Sequence, residues 1–78
     1  MSERMAATTP PVVFIRLPEV IRRTGMGKTT VYKRVRDGAF PAPVQLGEGM
    51  VAWIEAEVEA WQANIIAERE ELSLPKAA

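Results

Sequence analysis

Apolar residues recur along this chain at two different spacings, and the places where the spacing changes mark out its elements. Leu17, Val20, Ile21 and Thr24 stand at i, i+3, i+4 and i+7, the stripe of a short amphipathic helix. Val31 and Val35 share one face of a second helix over residues 28–37, with Tyr32 at the edge of that face. Thr29, Lys33 and Arg36 fall on the opposite face, Lys28 and Thr30 sit in the first turn, and the acid, Asp37, comes last. Val44 and Leu46, then Met50, Val51 and Trp53, are short β-prone runs on either side of Gly47-Glu48-Gly49, which predicts a hairpin. Ile54, Val58, Trp61, Ile65 and Leu72 follow at intervals of 4, 3, 4 and 7. They predict a third helix over residues 54–71 with a heptad-like seam, interrupted by Glu68.

Punctuation between the runs agrees with these assignments. Pro18 suits the start of a helix, where a missing N–H costs nothing, and Glu19 in the first turn favours the helix dipole. Gly25 ends helix 1 near residue 24, and Gly25-Met26-Gly27 is a tight link whose Met26 is expected between the helices. Gly27 takes the N-cap position of helix 2, where it is weaker than Ser or Asp. Gly38 stops helix 2, and Phe40-Pro41-Ala42-Pro43 then forces an extended path, with Phe40 expected to plug the core. Val12-Val13-Phe14-Ile15 is either a strand or a hydrophobic lead-in.

Two short helices joined by a Gly-containing turn of about three residues make a helix-turn-helix. The expected fold is therefore mainly α: a winged helix-turn-helix of three helices, with a short β-hairpin wing between helices 2 and 3. Residues 1–11 are expected to be a disordered or extended arm, 12–72 the folded domain and 73–78 a flexible tail. In 78 residues there is room for one domain at most.

Net charge is zero, which by itself argues against a nucleic-acid partner, but the charges are unevenly placed. Residues 1–47 hold eight Lys/Arg against three acids, a net +5, and residues 48–78 hold two against seven, a net −5. Cations gathered on one half form the electrostatic footprint of a nucleic-acid binder. The plain alternative is chance segregation, with an acidic helix that only solubilises.

Other chemistry finds little support. With no cysteine and no histidine, the chain has no disulfide, thiolate or imidazole metal site, no His acid/base and no Ser-His triad. Gly27-Lys28-Thr29 hints at a phosphate loop, but that pattern requires Gly where Arg22 stands. Glu55, Glu57 and Glu59 do not share one helix face, so a solvated acidic face is the simpler interpretation. No enzyme activity, cofactor or metal is expected. No apolar run approaches the roughly 18 residues of a membrane span, and the first residues lack the apolar centre of a signal peptide, so a cytoplasmic, nucleoid-associated protein without a membrane partner is expected.

The chain also resembles a known family. Arg16-Leu17-Pro18-Glu19-Val20, Thr24-Gly25-Met26, Thr29-Thr30-Val31-Tyr32-Lys33, Gly38, Phe40-Pro41-x-Pro43-Val44, Leu46-Gly47 and Val51-x-Trp53 together look like the AlpA family of phage and prophage regulators, over about residues 14–62. The resemblance implies a winged-helix-like protein related to the MerR and excisionase domains, acting on mobile-element genes as a transcriptional regulator or as an excisionase. Three positions depart from the family pattern. Gly27 stands where Ser is usual, Gly49 beside Glu48 stands where the wing tip usually has Arg, and Arg34 replaces an often apolar residue.

The expected partner is double-stranded DNA, with helix 2 in the major groove. Lys28, Thr29, Tyr32 and Lys33 would reach base edges, while Arg22, Arg23, Thr30, Arg34 and Arg36 would hold phosphate. Whether the wing touches DNA is left open by Glu48 and Gly49. One alternative is an excisionase that binds adjacent sites cooperatively and bends attachment-site DNA. The other is a protein-interaction module acting through the acidic third helix, which would contact an integrase or, through Ile65 and Leu72, a second copy of the chain.

Overall fold

The structure is a computed structural model that describes residues 11–73. It holds three helices and a three-stranded antiparallel sheet, in the order β1 (Phe14–Ile15), α1 (Leu17–Thr24), α2 (Lys28–Arg36), β2 (Val44–Gly47), β3 (Met50–Ile54) and α3 (Glu55–Ser73). The expected N-terminal arm, apart from Pro11, and the tail beyond residue 73 lie outside the described residues.

The helix pair forms where the apolar spacing places it. The Arg16 carbonyl accepts the first bonds of α1, from the N–H groups of Glu19 and Val20, both at 3.0 Å. Gly25 ends the helix at φ 77°, in left-handed geometry that a side chain would strain, and donates its N–H to the Ile21 carbonyl at 2.8 Å. Thr24 tightens the turn. Its Oγ1 donates to the Val20 carbonyl at 2.8 Å and accepts the Met26 N–H at 3.2 Å. Helix α2 starts at Gly27 without a side-chain cap, as the residue type predicts, and Asp37 follows it as the C-cap.

The sheet is larger than the expected hairpin. Its order is β1-β3-β2, so β3 is central and the Val12–Ile15 run does supply a strand. Phe14 pairs with Ile54 and Ile15 with Trp53, and the Glu55 N–H donates to the Val13 carbonyl at 2.8 Å. Without β1 one edge of β3 would leave backbone groups unpaired beside the core, which proteins rarely tolerate. The pairing also moves the start of the third helix from Ile54 to Glu55, because Ile54 belongs to the ladder. On the other edge Val44 pairs with Ala52, Gln45 with Val51 and Gly47 with Met50, so Leu46 is the extra residue of a bulge. Gly49 closes the turn at φ 73°.

The core consists of Ile15, Val20, Val31, Phe40, Ala52, Trp53 and Val58, all buried, with Leu17, Met26, Tyr32, Val35, Val51 and Trp61 packed around them half-buried. Trp53 sits at its centre with no exposed surface. Tyr32 meets it edge-on at a centroid distance of 5.9 Å, and Phe40 lies tilted beside it at 6.5 Å. Phe40 plugs the core as expected and makes a T-shaped contact with Trp61 at 4.9 Å. Both tryptophans also satisfy their polar edges. The Trp53 indole N–H donates to the Pro41 carbonyl and that of Trp61 to the Ala39 carbonyl, each at 2.8 Å. The proline-rich link after α2 is thus tied to β3 and to α3. Of the seam on α3, Val58 is buried and Trp61 half-buried, whereas Ile65 and Leu72 are exposed.

Candidate nucleic-acid interface

Helix α2 is held from behind and open in front. Val31 is fully buried and Val35 and Tyr32 half-buried, which fixes the rotation of the helix about its axis. Lys28, Thr29, Thr30, Lys33, Arg34 and Arg36 are consequently all exposed. Gly27 offers no side-chain acceptor to the first turn, so the orphan N–H groups there, the positive end of the helix dipole, are uncapped by a side chain. Lys33 reaches Asp37 at 3.4 Å, but both side chains are more than half exposed (64% and 53%). Such a pair stabilises little in water and separates readily when a phosphate or a base competes for the cation.

Helix α1 holds two arginines in different situations. Arg22 is 72% exposed and chelates the Glu19 carboxylate, through Nε at 3.0 Å and Nη2 at 2.5 Å. Arg23 is only 23% exposed and faces the other way. Its Nε donates to Glu19 at 2.7 Å, its Nη2 donates to Glu55 at 2.8 Å, and its Nη1 lies 3.8 Å from Glu59. Its backbone carbonyl accepts the Gln62 side-chain amide at 2.8 Å. The hydrogen bonds from Arg22 and then from Arg23 hold the Glu19 carboxyl down at about 2.

Two sequence expectations change accordingly. Arg23 was expected at phosphate, and its guanidinium is instead shared among three carboxylates that join α1 to the start of α3. Tyr32 was expected at a base edge, and its ring is packed on Trp53. The other seven positions, Lys28, Thr29, Thr30, Lys33, Arg34, Arg36 and Arg22, lie exposed on the helix pair. The positioning residues Glu55 and Gln62 were not anticipated. Nothing in their spacing marks them, because their partners are 32 and 39 residues away in sequence. The anchoring of the 39–41 link did leave a signal, since a buried indole N–H needs an acceptor and two tryptophans lie within reach of a proline-rich turn.

Position as well as number makes the field one-sided. No Lys or Arg occurs between Arg36 and Arg69, so the hairpin carries only Glu48 and the first three turns of α3 only Glu55, Glu57 and Glu59. Among the described residues every Lys and Arg but Arg69, on the last turns of α3, belongs to α1, α2 or the residue that precedes them. Among the described residues there is no group of three or more acids that could hold a metal ion, and no helix is long and apolar enough to cross a membrane.

These features define a small, mainly helical domain in which a three-residue turn joins two short helices and the second presents a cationic face, backed by a three-stranded sheet. The model of the family described as prophage CP4-57 regulatory protein (AlpA) matches residues 13–66, nearly the whole of that domain, and the chain belongs to this family. It is 46% identical over 56 residues to the uncharacterized protein ORF88 of Enterobacteria phage P4, a match that covers 72% of this chain and 64% of the phage protein. It is 41% identical over 56 residues to the DNA-binding transcriptional activator AlpA of Escherichia coli strain K12, covering 64% of this chain and 80% of that protein. The chain thus spans just under two thirds of the length of the phage relative. No solved structure matches it.

Proposed function

We propose that this protein is a sequence-specific DNA-binding transcriptional regulator of phage or mobile-element genes, built as a winged helix-turn-helix with α2 as the recognition helix. The observation that carries the reading is the division of α2. Val31 is sealed in the core while Thr29 and Lys33 stand in solvent on the far side and Lys28 is exposed in the first turn. A helix held in this way can enter a major groove without disturbing the domain behind it. The relative from E. coli is named a DNA-binding transcriptional activator, which supports the same partner here.

Within this reading Lys28, Thr29 and Lys33 meet base edges, and Arg22, Thr30, Arg34 and Arg36 hold phosphate. Arg23 and Tyr32 act from behind, by fixing the helix pair on the rest of the domain. The hairpin brings no cation to the duplex, so any contact it makes relies on backbone N–H groups. Such a protein acts on DNA in the cytoplasm and needs no cofactor.

The test is selection of bound sequences from a random duplex pool at near-physiological salt, followed by titration of the selected duplex. With about three phosphate charges neutralised by arginine, log K should fall against log salt with a slope of roughly −3. Lys33→Ala should lose about 1–3 kcal/mol of discrimination if the side chain pairs with a guanine. A loss equal for all sequences would place Lys33 at phosphate instead. Absence of association with duplex at low ionic strength overturns the reading.

A further inference from the structure

We propose that Glu19 is a positioning residue for DNA: its carboxylate holds the Arg22 guanidinium by one edge and so presents the other edge to a phosphate. This role rests on the DNA-binding reading above, and it falls to an acid on a surface that otherwise gathers cations. Among the described residues, the exposed arginines Arg34 and Arg36 of α2 have no partner, and Lys33 has a single long bond of 3.4 Å to Asp37. Arg22 is just as exposed and yet is held in a fork. Its Nε donates to one carboxylate oxygen of Glu19 at 3.0 Å and its Nη2 to the other at 2.5 Å.

The fork is itself anchored. Oε2 of Glu19 also accepts Arg23 Nε at 2.7 Å, and the mostly buried Arg23 donates in turn to Glu55 of α3 at 2.8 Å. The carboxylate that orients Arg22 is thereby tied to the body of the domain. With its carboxyl held down at about 2, Glu19 stays ionised across the physiological range. A guanidinium carries five N–H donors in one plane. The fork takes Nε and one N–H of Nη2, which leaves both N–H groups of Nη1 and the second of Nη2. That remaining edge is the one that fits two phosphate oxygens.

Glu19 has two effects of opposite sign, and their sizes decide. Its charge repels the phosphate on the far edge of the guanidinium. Across about 7 Å of water at physiological salt, that repulsion weakens binding by less than about twofold. A free arginine must lose rotamers on binding, and immobilising such a side chain weakens affinity by roughly two- to tenfold. In the free protein Glu19 has already restricted Arg22, so orientation outweighs repulsion.

A double-variant cycle tests this, read as affinity for the selected duplex at physiological salt. Glu19→Gln, whose amide cannot offer two acceptor oxygens, should weaken binding roughly two- to tenfold, even though it removes a negative charge from a DNA-binding surface. In an Arg22→Ala background the same change should cost nothing, or tighten binding by less than about twofold. Denaturation of each variant sets conditions in which all are folded during the titration. Unchanged or tighter binding by Glu19→Gln alone overturns the proposal, because Glu19 would then do no more than repel. An equal loss in both backgrounds also overturns it, because Glu19 would then act through Arg23 and the seating of α1. Failure of the DNA reading is a separate result, seen as no association of the unaltered chain with duplex.

Discussion

The helix pair and the third helix both carry an apolar stripe, but they use it differently. On α1 and α2 every large apolar side chain is turned inward. Val20 and Val31 are fully buried, and Leu17, Ile21 and Val35 are half-buried. What remains outside on α2 is hydrogen-bonding and cationic. On α3 the stripe outlasts the domain, and past Trp61 its apolar residues lie in solvent among carboxylates. Opposite charges of the two halves meet where Arg23 of α1 joins Glu55 and Glu59 of α3. The comparison shows that surplus is informative: a half that leaves no apolar residue over offers polar chemistry, while a half that leaves some over keeps an apolar face in water.

The largest effect tests whether the halves are one cooperative unit. Trp53→Ala removes the side chain at the junction, fully buried and in ring contact with Tyr32 and Phe40. It should cost about 3–5 kcal/mol, enough to unfold so small a domain. Chemical denaturation followed by circular dichroism and by near-ultraviolet signal should show one transition lost as a whole. Survival of the α3 signal alone would separate the halves.

Smaller changes sharpen the contrast between neighbouring arginines. Arg23→Ala should lower stability, because it takes away the cation shared by Glu19, Glu55 and Glu59. Arg22→Ala, at a 72% exposed position, should leave stability nearly unchanged and reduce DNA affinity. Paired denaturation and DNA titration of both variants read this directly. An exchange of the two outcomes would put Arg23, not Arg22, at the duplex.

Acid acts on the same cluster. Glu19 is held at about 2 against an ordinary 4.5, so its carboxylate contributes stability that is complete above the unfolded value. That contribution is lost as pH falls from about 4.5 through about 2. A third of the side chain is in water, so the loss is modest. The fall in stability between these pH values should shrink in Glu19→Gln.

The smallest change concerns the cap of α2. Gly27 has ordinary φ of −79° and open space where a Cβ would go. Gly27→Ser should therefore stabilise the helix by a few tenths of a kcal/mol, through a hydroxyl that accepts a first-turn N–H. The same hydroxyl would compete with a phosphate for that donor, so any gain in stability that comes with weaker DNA binding would place the helix start at the duplex backbone.

Local features of the chain were sufficient for much of this. The spacing of Val20, Val31 and Val58, the glycines at 25 and 38 and the prolines at 41 and 43 state which stretches are helical, where they stop and which faces turn inward. Those effects act within a few residues, so they can be seen without a fold. The surplus of cations before residue 37 and their scarcity after it is equally a property of the chain alone.

Tertiary structure decided whatever depends on residues far apart in sequence. Phe14-Ile15 became a strand because β3 had an open edge, and nothing in two apolar residues specifies that edge. Arg22 and Arg23 are the same residue type at adjacent positions, yet a rotation of about 100° between them sends one to solvent and the other to carboxylates on α3. Tyr32 was on the border of its helix face, and the position of Trp53, 21 residues later, drew it inward. A sequence fixes which faces are apolar, but it is packing that chooses, for each residue at the edge of a face, the side on which it ends.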